Sequence, residues 1–209
     1  TFYRSGLYKN KHTGTIGTLG CISFNGNKII TTGSGGMIVT DDCYLAEKAR
    51  YLITQAKDDP IRYRHDQIGY NFRMNNIQAA LGLAQLEKLN FFLEKKAAIH
   101  EHYKSSFLNS KKFKILETPS HSKSNNWMNI LQDKLVQGLD SREKLMKSLS
   151  SQNIQTRPVW GLINNQKPYK KFETYEIEKS QILVDNSLCI PSSTNLQNHQ
   201  MQKVIKYIN

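Results

Sequence analysis

Ser23–Gly36, SFNGNKIITTGSGG, is the stretch on which the reading of this chain turns. Two glycine- and asparagine-rich turns, Asn25-Gly26-Asn27 and Gly33-Ser34-Gly35-Gly36, separate apolar runs at Thr15–Phe24, Ile29-Ile30 and Met37-Ile38-Val39. Runs bounded in this way predict short buried strands joined by tight turns. The glycines do not make a P-loop, because no Gly-Lys-Ser/Thr closes the run, and their spacing is not GxGxxG. The stretch does place one lysine, Lys28, after a strand and before a glycine-rich turn, with the Ser23 hydroxyl five residues back. A lysine held among apolar residues has its neutral amine favoured by desolvation, and that amine is a nucleophile able to form a Schiff base. A hydroxyl, an amide side chain and glycine N–H groups nearby can hold a phosphate. Lysine plus phosphate cradle is the donor set that pyridoxal phosphate requires. Without further context, the plainer reading of Lys28 is a solvated hairpin lysine.

After the glycine-rich turn, Asp41-Asp42 predicts the N-cap of a helix carrying Leu45, Ala46, Ala49, Leu52 and Ile53. After a polar loop with Pro60, the stripe Ile77, Ala80, Leu81, Leu83, Ala84, Leu86 and Leu89 predicts one long helix running past Tyr103, with Arg73 and Asn75 as loop residues before it. Beyond Lys111 the pattern changes. Strands are expected at Phe113–Leu116 and Trp127–Leu131, flanking a polar linker at Pro119–Asn126. Asp140-Ser141 reads as the cap of a helix with Leu145, Met146 and Leu149, followed by strands at Ile154–Arg157 and Leu188–Ile190 and a terminal helix at Leu196–Ile208. Alternating strands and helices in both halves give an α/β class. The expected domains are residues 1–100, part of a larger domain including the long helix, and residues 101–209, a small C-terminal domain.

The composition narrows the function classes. With 38% hydrophobic and 22% charged residues in 209, the chain has an ordinary globular profile. No run approaches the roughly 18 apolar residues of a membrane helix. Three cysteines, an odd count with no CxxC, argue against a disulfide scaffold or zinc ribbon and fit a reducing, cytoplasmic setting. The six histidines form no metal set, so no metal is expected. A net charge of +12 invites a nucleic-acid reading, but the clusters Lys95-Lys96 and Lys111-Lys112-x-Lys114 are not interleaved with aromatics. The charge suits a phosphorylated small molecule equally well. Thr1 is not an initiator methionine, so the chain reads as a cut or processed piece.

The ordered series SFNGNKIITTGSGGMIVTDD, LAEKAR, GYNFRMNNIQAALGLAQLEKL, TRPVW (Thr156–Trp160) and IPSS (Ile190–Ser193), with HTGTIG at His12–Gly17, resembles the DegT-like family of nucleotide-sugar aminotransferases. The resemblance spans nearly the whole chain. It implies the pyridoxal-phosphate-dependent transferase fold type I, here a partial large domain plus the small C-terminal α/β domain. Ser124–Leu131 looks most like the branch that aminates UDP-linked 4-keto-6-deoxy sugars toward legionaminic acid or bacillosamine-type products in surface-glycan biosynthesis. Carried onto this sequence, the resemblance makes Lys28 the Schiff-base lysine and proton shuttle, and Ser23 a phosphate contact. It makes Asn71 a phosphate contact reaching across the interface of a homodimer. Arg157 and Trp160 fall where such enzymes hold the nucleotide sugar, the Arg to pair a diphosphate and the Trp to pack a ring; a salt-bridged Arg and a core Trp are the structural alternatives. L-glutamate is the expected amino donor. Family members run to almost twice this length, so the chain resembles their C-terminal portion. A different class of function, a non-catalytic remnant that retains the dimer helix and small domain, is the alternative.

Overall fold

The computed structural model describes residues 6–209. The first five residues of the expected 1–100 domain therefore lie outside the described residues. In chain order the strands are β1 (Leu7–Tyr8), β2 (Lys11–His12), β3 (Gly20–Ser23), β4 (Gly36–Val39), β5 (Phe113–Ile115), β6 (Ser122–Lys123), β7 (Asn129–Asp133), β8 (Arg157–Pro158) and β9 (Ser187–Ile190). The α-helices are α1 (Cys43–Ile53), α2 (Asn76–Glu87), α3 (Leu89–Ser106), α4 (Gly138–Ser151), α5 (Glu178–Asp185) and α6 (Asn198–Ile208). The chain divides into two compact units: one runs up to Leu93 and takes in Thr118–Asn125, and the other comprises Glu94–Glu117 and Asn126–Asn209. The divide thus falls inside α3, a few residues before position 100, and the second crossing returns a short segment to the first unit.

In the first unit, β1 and β2 form a hairpin turned by Lys9 and Asn10, both at positive φ, as a two-residue hairpin turn demands. β6 adds to the other edge of β1, with Leu7 opposite Lys123. Pro119–Asn126 is therefore not only the polar linker its composition suggested; backbone pairing, which composition does not encode, makes part of it a strand. β3 and β4 are antiparallel, with Gly20 opposite Val39 and Ser23 opposite Gly36. A Cβ on Gly20 would sit 1.7 Å from the Gly14 carbonyl oxygen, so that close backbone approach requires glycine.

Helix α1 starts as expected, with the Asp42 carboxylate accepting from Leu45 N at 3.1 Å. The single long helix does not form. Lys88 leaves helical geometry between α2 and α3, while the apolar stripe continues through Leu86 and Leu89; periodicity alone cannot register such a break. Asn75, expected in a loop, caps α2 with Gln78: Gln78 N donates to Asn75 Oδ1 at 2.9 Å and Asn75 N to Gln78 Oε1 at 3.2 Å.

The second unit is built on an antiparallel sheet of order β5-β7-β9-β8. β7 alternates buried and half-buried residues, and every residue of β9 is buried, so β9 packs as a central strand. One apolar cluster gathers Ile99, Tyr103 and Phe107 of α3, Leu131 of β7, Leu149 of α4, and Met201, Val204 and Ile205 of α6. The strand expected from Trp127 begins at Asn129, and the one expected at Ile154–Arg157 is confined to Arg157–Pro158, because Ile154 and Thr156 are buried without joining the ladder. Helix α4 starts at Gly138, ahead of Asp140-Ser141, because Asn186 Oδ1 accepts from Gly138 N at 2.6 Å and stands in for a local cap.

Candidate functional site

The expected strand at Ile29-Ile30 is a closed loop. Phe24 N donates to Gly35 O at 2.9 Å and Thr32 N to Phe24 O at 3.0 Å, so the segment between β3 and β4 folds on its own backbone. Thr31 Oγ1 donates to Phe24 O at 3.0 Å and accepts from Gly33 N at 2.9 Å, supplying side-chain partners that a strand would have taken from a neighbour. Ile30 is buried and anchors the loop.

Lys28 is half-buried on this loop, its N–H closing a turn onto Asn25 O at 3.0 Å. The Ser23 hydroxyl accepts from Asn25 N at 3.3 Å, which leaves its own proton to give. Gly33 holds φ at +79, and the position its Cβ would take faces open space, so the main chain there is accessible to a ligand. Gln78 Nε2, at the start of α2, donates to Ser34 Oγ at 3.0 Å and steadies the glycine turn. Glutamine at N3 of a helix signals a capping box; nothing in the sequence signals its second partner.

Asn71 sits on a separate loop of the same unit, exposed, in an antiparallel bridge with Thr54. Tyr70 N donates to Leu52 O at 2.9 Å and Phe72 N to Ile53 O at 3.0 Å, which ties the segment to the end of α1. A Cβ on Gly69 would stand 2.5 Å from Ala56 N, so only glycine permits that closeness. The intervening loop is pinned by Asp58, whose carboxylate accepts from Asp66 N at 2.6 Å and from the Tyr51 hydroxyl at 3.0 and 2.9 Å. The Asp66 N–H and then the Tyr51 hydroxyl hold Asp58 below the usual carboxylate range; partial desolvation, then Asp58 itself, raises Tyr51.

Arg157 and Trp160 lie in the second unit. Arg157 is exposed on β8 and has no ion pair among the described residues. Trp160 is 60% exposed, so it is not a core residue; its ring stands 5.6 Å from that of Trp127, tilted by 32°. Lys96, half of the short basic cluster Lys95-Lys96, is buried, and burial lowers its pKa to about 8. Among the described residues no group of three or more His, Cys, Asp or Glu could hold a metal ion, and no helix is long and apolar enough to cross a membrane.

A hollow of about 940 Å³ lies elsewhere in the first unit, lined by Met37, Ile38, Arg50, Ile53, Phe72 and Arg73 among others. Ser23, Lys28 and Asn71 are not part of it.

The sequence matches the DegT/DnrJ/EryC1/StrS aminotransferase family over residues 5–209. It is 35% identical over 206 residues to the putative pyridoxal phosphate-dependent aminotransferase EpsN of Bacillus subtilis (strain 168), covering 97% of this chain and 52% of that protein. It is 36% identical over 206 residues to the GDP-perosamine synthase of Escherichia coli O157:H7, covering 97% of this chain and 54% of that one. Among solved structures, PseC of Helicobacter pylori, an aminotransferase involved in the biosynthesis of pseudoaminic acid, superposes with a TM-score of 0.86 at 26% identity over 97% of this chain and 55% of its own. The mixed α/β architecture is thus part of the fold-type-I transferase fold, and the chain spans about half the length of the curated relatives it matches. It belongs to the DegT/DnrJ/EryC1/StrS aminotransferase family.

Proposed function

We propose that this chain carries the lysine half of a pyridoxal-phosphate-dependent aminotransferase that moves an amino group from an amino acid, L-glutamate, to the 4-keto carbon of a nucleotide-linked deoxy sugar. The observation that carries the reading is the closed loop between β3 and β4, which holds a primary amine (Lys28), a hydroxyl with a proton to give (Ser23) and open glycine backbone together. Those groups fit pyridoxal phosphate: the amine matches its aldehyde, and hydroxyl and N–H donors match its phosphate. When bound, the cofactor supplies the electron sink that makes a carbon–hydrogen bond beside the nitrogen acidic.

Lys28 would hold the cofactor through its amine, and the same amine would move a proton at the amine-bearing carbon as general acid and base. Ser23 orients the phosphate. Asn71 adds carboxamide donors to a phosphate from a second copy in a homodimer, and its loop is kept in place by Asp58 and the Thr54 bridge. Arg157 pairs with the diphosphate of the substrate, and Trp160 packs a ring. The domain assignment follows the same reading: residues 1–100 belong to the cofactor-binding large domain and residues 101–209 to the small one, in a cytoplasmic enzyme. The UDP-linked 4-keto-6-deoxy sugar is favoured by Ser124–Leu131; relatives named for a nucleotide sugar include a GDP-perosamine synthase and a UDP-4-amino-4,6-dideoxy-N-acetyl-beta-L-altrosamine transaminase, so both nucleotides belong in any test.

Borohydride trapping of added pyridoxal phosphate followed by peptide mapping tests the reading. Label concentrated on Lys28 is the expected result. Label scattered over the other lysines, in this chain and again in a longer chain extended at its N-terminus, favours the non-catalytic remnant.

A further inference from the structure

Lys95 and Lys96 are neighbours in sequence, yet Lys95 is exposed and Lys96 is 6% exposed. No carboxylate pairs with Lys96 among the described residues. Its Nζ donates to the Trp127 carbonyl oxygen at 2.9 Å, to Ser192 Oγ at 3.3 Å and to the Ser192 carbonyl oxygen, which uses all three of its protons. Ser192 Oγ donates in turn to the Trp127 carbonyl oxygen at 3.1 Å. Taking an ammonium out of water without a counter-ion is costly, and what the arrangement gains is geometric: two segments 65 residues apart are fixed at one point. The fixed point is the main chain of Trp127, whose ring is the one against Trp160. Trp160 presents its ring to solvent three residues after the exposed Arg157. A cation and a preset aromatic face are the recognition elements for a diphosphate and a planar base, and an indole already held in place loses little freedom on binding.

We propose that Lys96 is a positioning residue for the substrate: by fixing the Trp127 main chain against Ser192 it sets the Trp127 ring against Trp160, and the Trp160 face so held stacks the base of a nucleoside diphosphate. The proposal rests on the nucleotide-sugar reading above and assigns it two residues, Lys96 and Trp127, to which the sequence reading gives no individual role. Lys96 does not touch the ligand; it acts through Trp127.

The chain has only two tryptophans, so the tryptophan emission of the 209-residue protein reports on this pair alone. The probes are UDP and GDP, with inorganic pyrophosphate as the control that lacks a base. UDP or GDP quenches the emission saturably and pyrophosphate does not. Lys96→Met shifts the emission of the free protein and weakens the nucleotide about three- to tenfold, the range of one aromatic contact. Ser192→Ala, which removes one acceptor and leaves two, weakens it less; should Lys96→Met lose its circular dichroism signal, Ser192→Ala decides. Wild-type affinity and an unshifted emission in the well-folded variants, with binding lost in Trp160→Phe, would overturn the positioning role and leave the nucleotide reading standing. Absence of quenching in the wild-type chain overturns the aromatic platform. Labelling at Lys28, which needs no nucleotide, then shows whether the aminotransferase reading falls with it.

Discussion

Two kinds of stability sit side by side in this chain. The second unit gathers fourteen buried apolar residues, from Ile99 to Ile208, into one cluster. The first unit buries only Ile30, Ala56 and Leu89 among its described apolar residues. Its helices α1 and α2 carry the apolar residues that periodicity picks out, yet neither contains a buried residue. Ile77 is 83% exposed and Leu83 60%. What orders these helices is polar: the Asp42 cap on α1, the Asn75–Gln78 box on α2, and the Asp58 pin on the loop between them. An apolar stripe states where a helix wants to be covered; it does not state that the cover belongs to the same stretch of chain.

The largest expected effect is a core truncation. Leu131→Ala, in the second unit's core, is expected to cost about 2–5 kcal/mol in urea unfolding of that unit. A loss under about 1 kcal/mol would break the distinction between the units. Next in size is a pH effect. Burial lowers Lys96 from 10.5 to about 8, so the unfolded chain binds the extra proton between those values. Stability of the second unit therefore rises with pH through that window, and the full deficit, about 3 kcal/mol, is present below pH 8. The difference between wild type and Lys96→Met, followed by urea unfolding from pH 7 to 10, isolates this contribution; parallel pH curves would remove it.

Smaller again is Asn75→Ala, expected to cost about 1 kcal/mol and to show as faster amide exchange confined to α2, since its cap has no buried face to support it. The smallest effect belongs to Ile77→Ala, within about 0.5 kcal/mol, because the side chain is already in water. A much larger loss in solution would mean that another copy or segment covers that face, which circular dichroism melts at several protein concentrations would reveal.

Where the structure departs from the sequence reading, the missing information is long-range. The β5, β7 and β9 regions were legible because alternation and apolar runs are local signals, as was the Asp42 cap. Helix α5 was not anticipated: Glu178–Asp185 is short and mixed, and only Val184 is buried. The Ile29-Ile30 loop replaced a strand because Thr31 and Thr32 found acceptors and donors within the loop. Of the candidate site, Ser23 and Lys28 are joined by spacing alone, whereas the exposure of Trp160 against Trp127 could not be read from RPVW.

The order of the motifs, the five-residue spacing of Ser23 and Lys28, and the α/β class follow from the sequence itself, since each depends on near neighbours and residue chemistry. The break at Lys88, the start of α4 at Gly138 and the burial of Lys96 beside an exposed Lys95 were decided in three dimensions. At Gly138 and Lys96 the deciding partner lies at least 31 residues away, at Asn186, Trp127 or Ser192. A buried polar group takes the conformation its partner allows, and no local pattern names that partner.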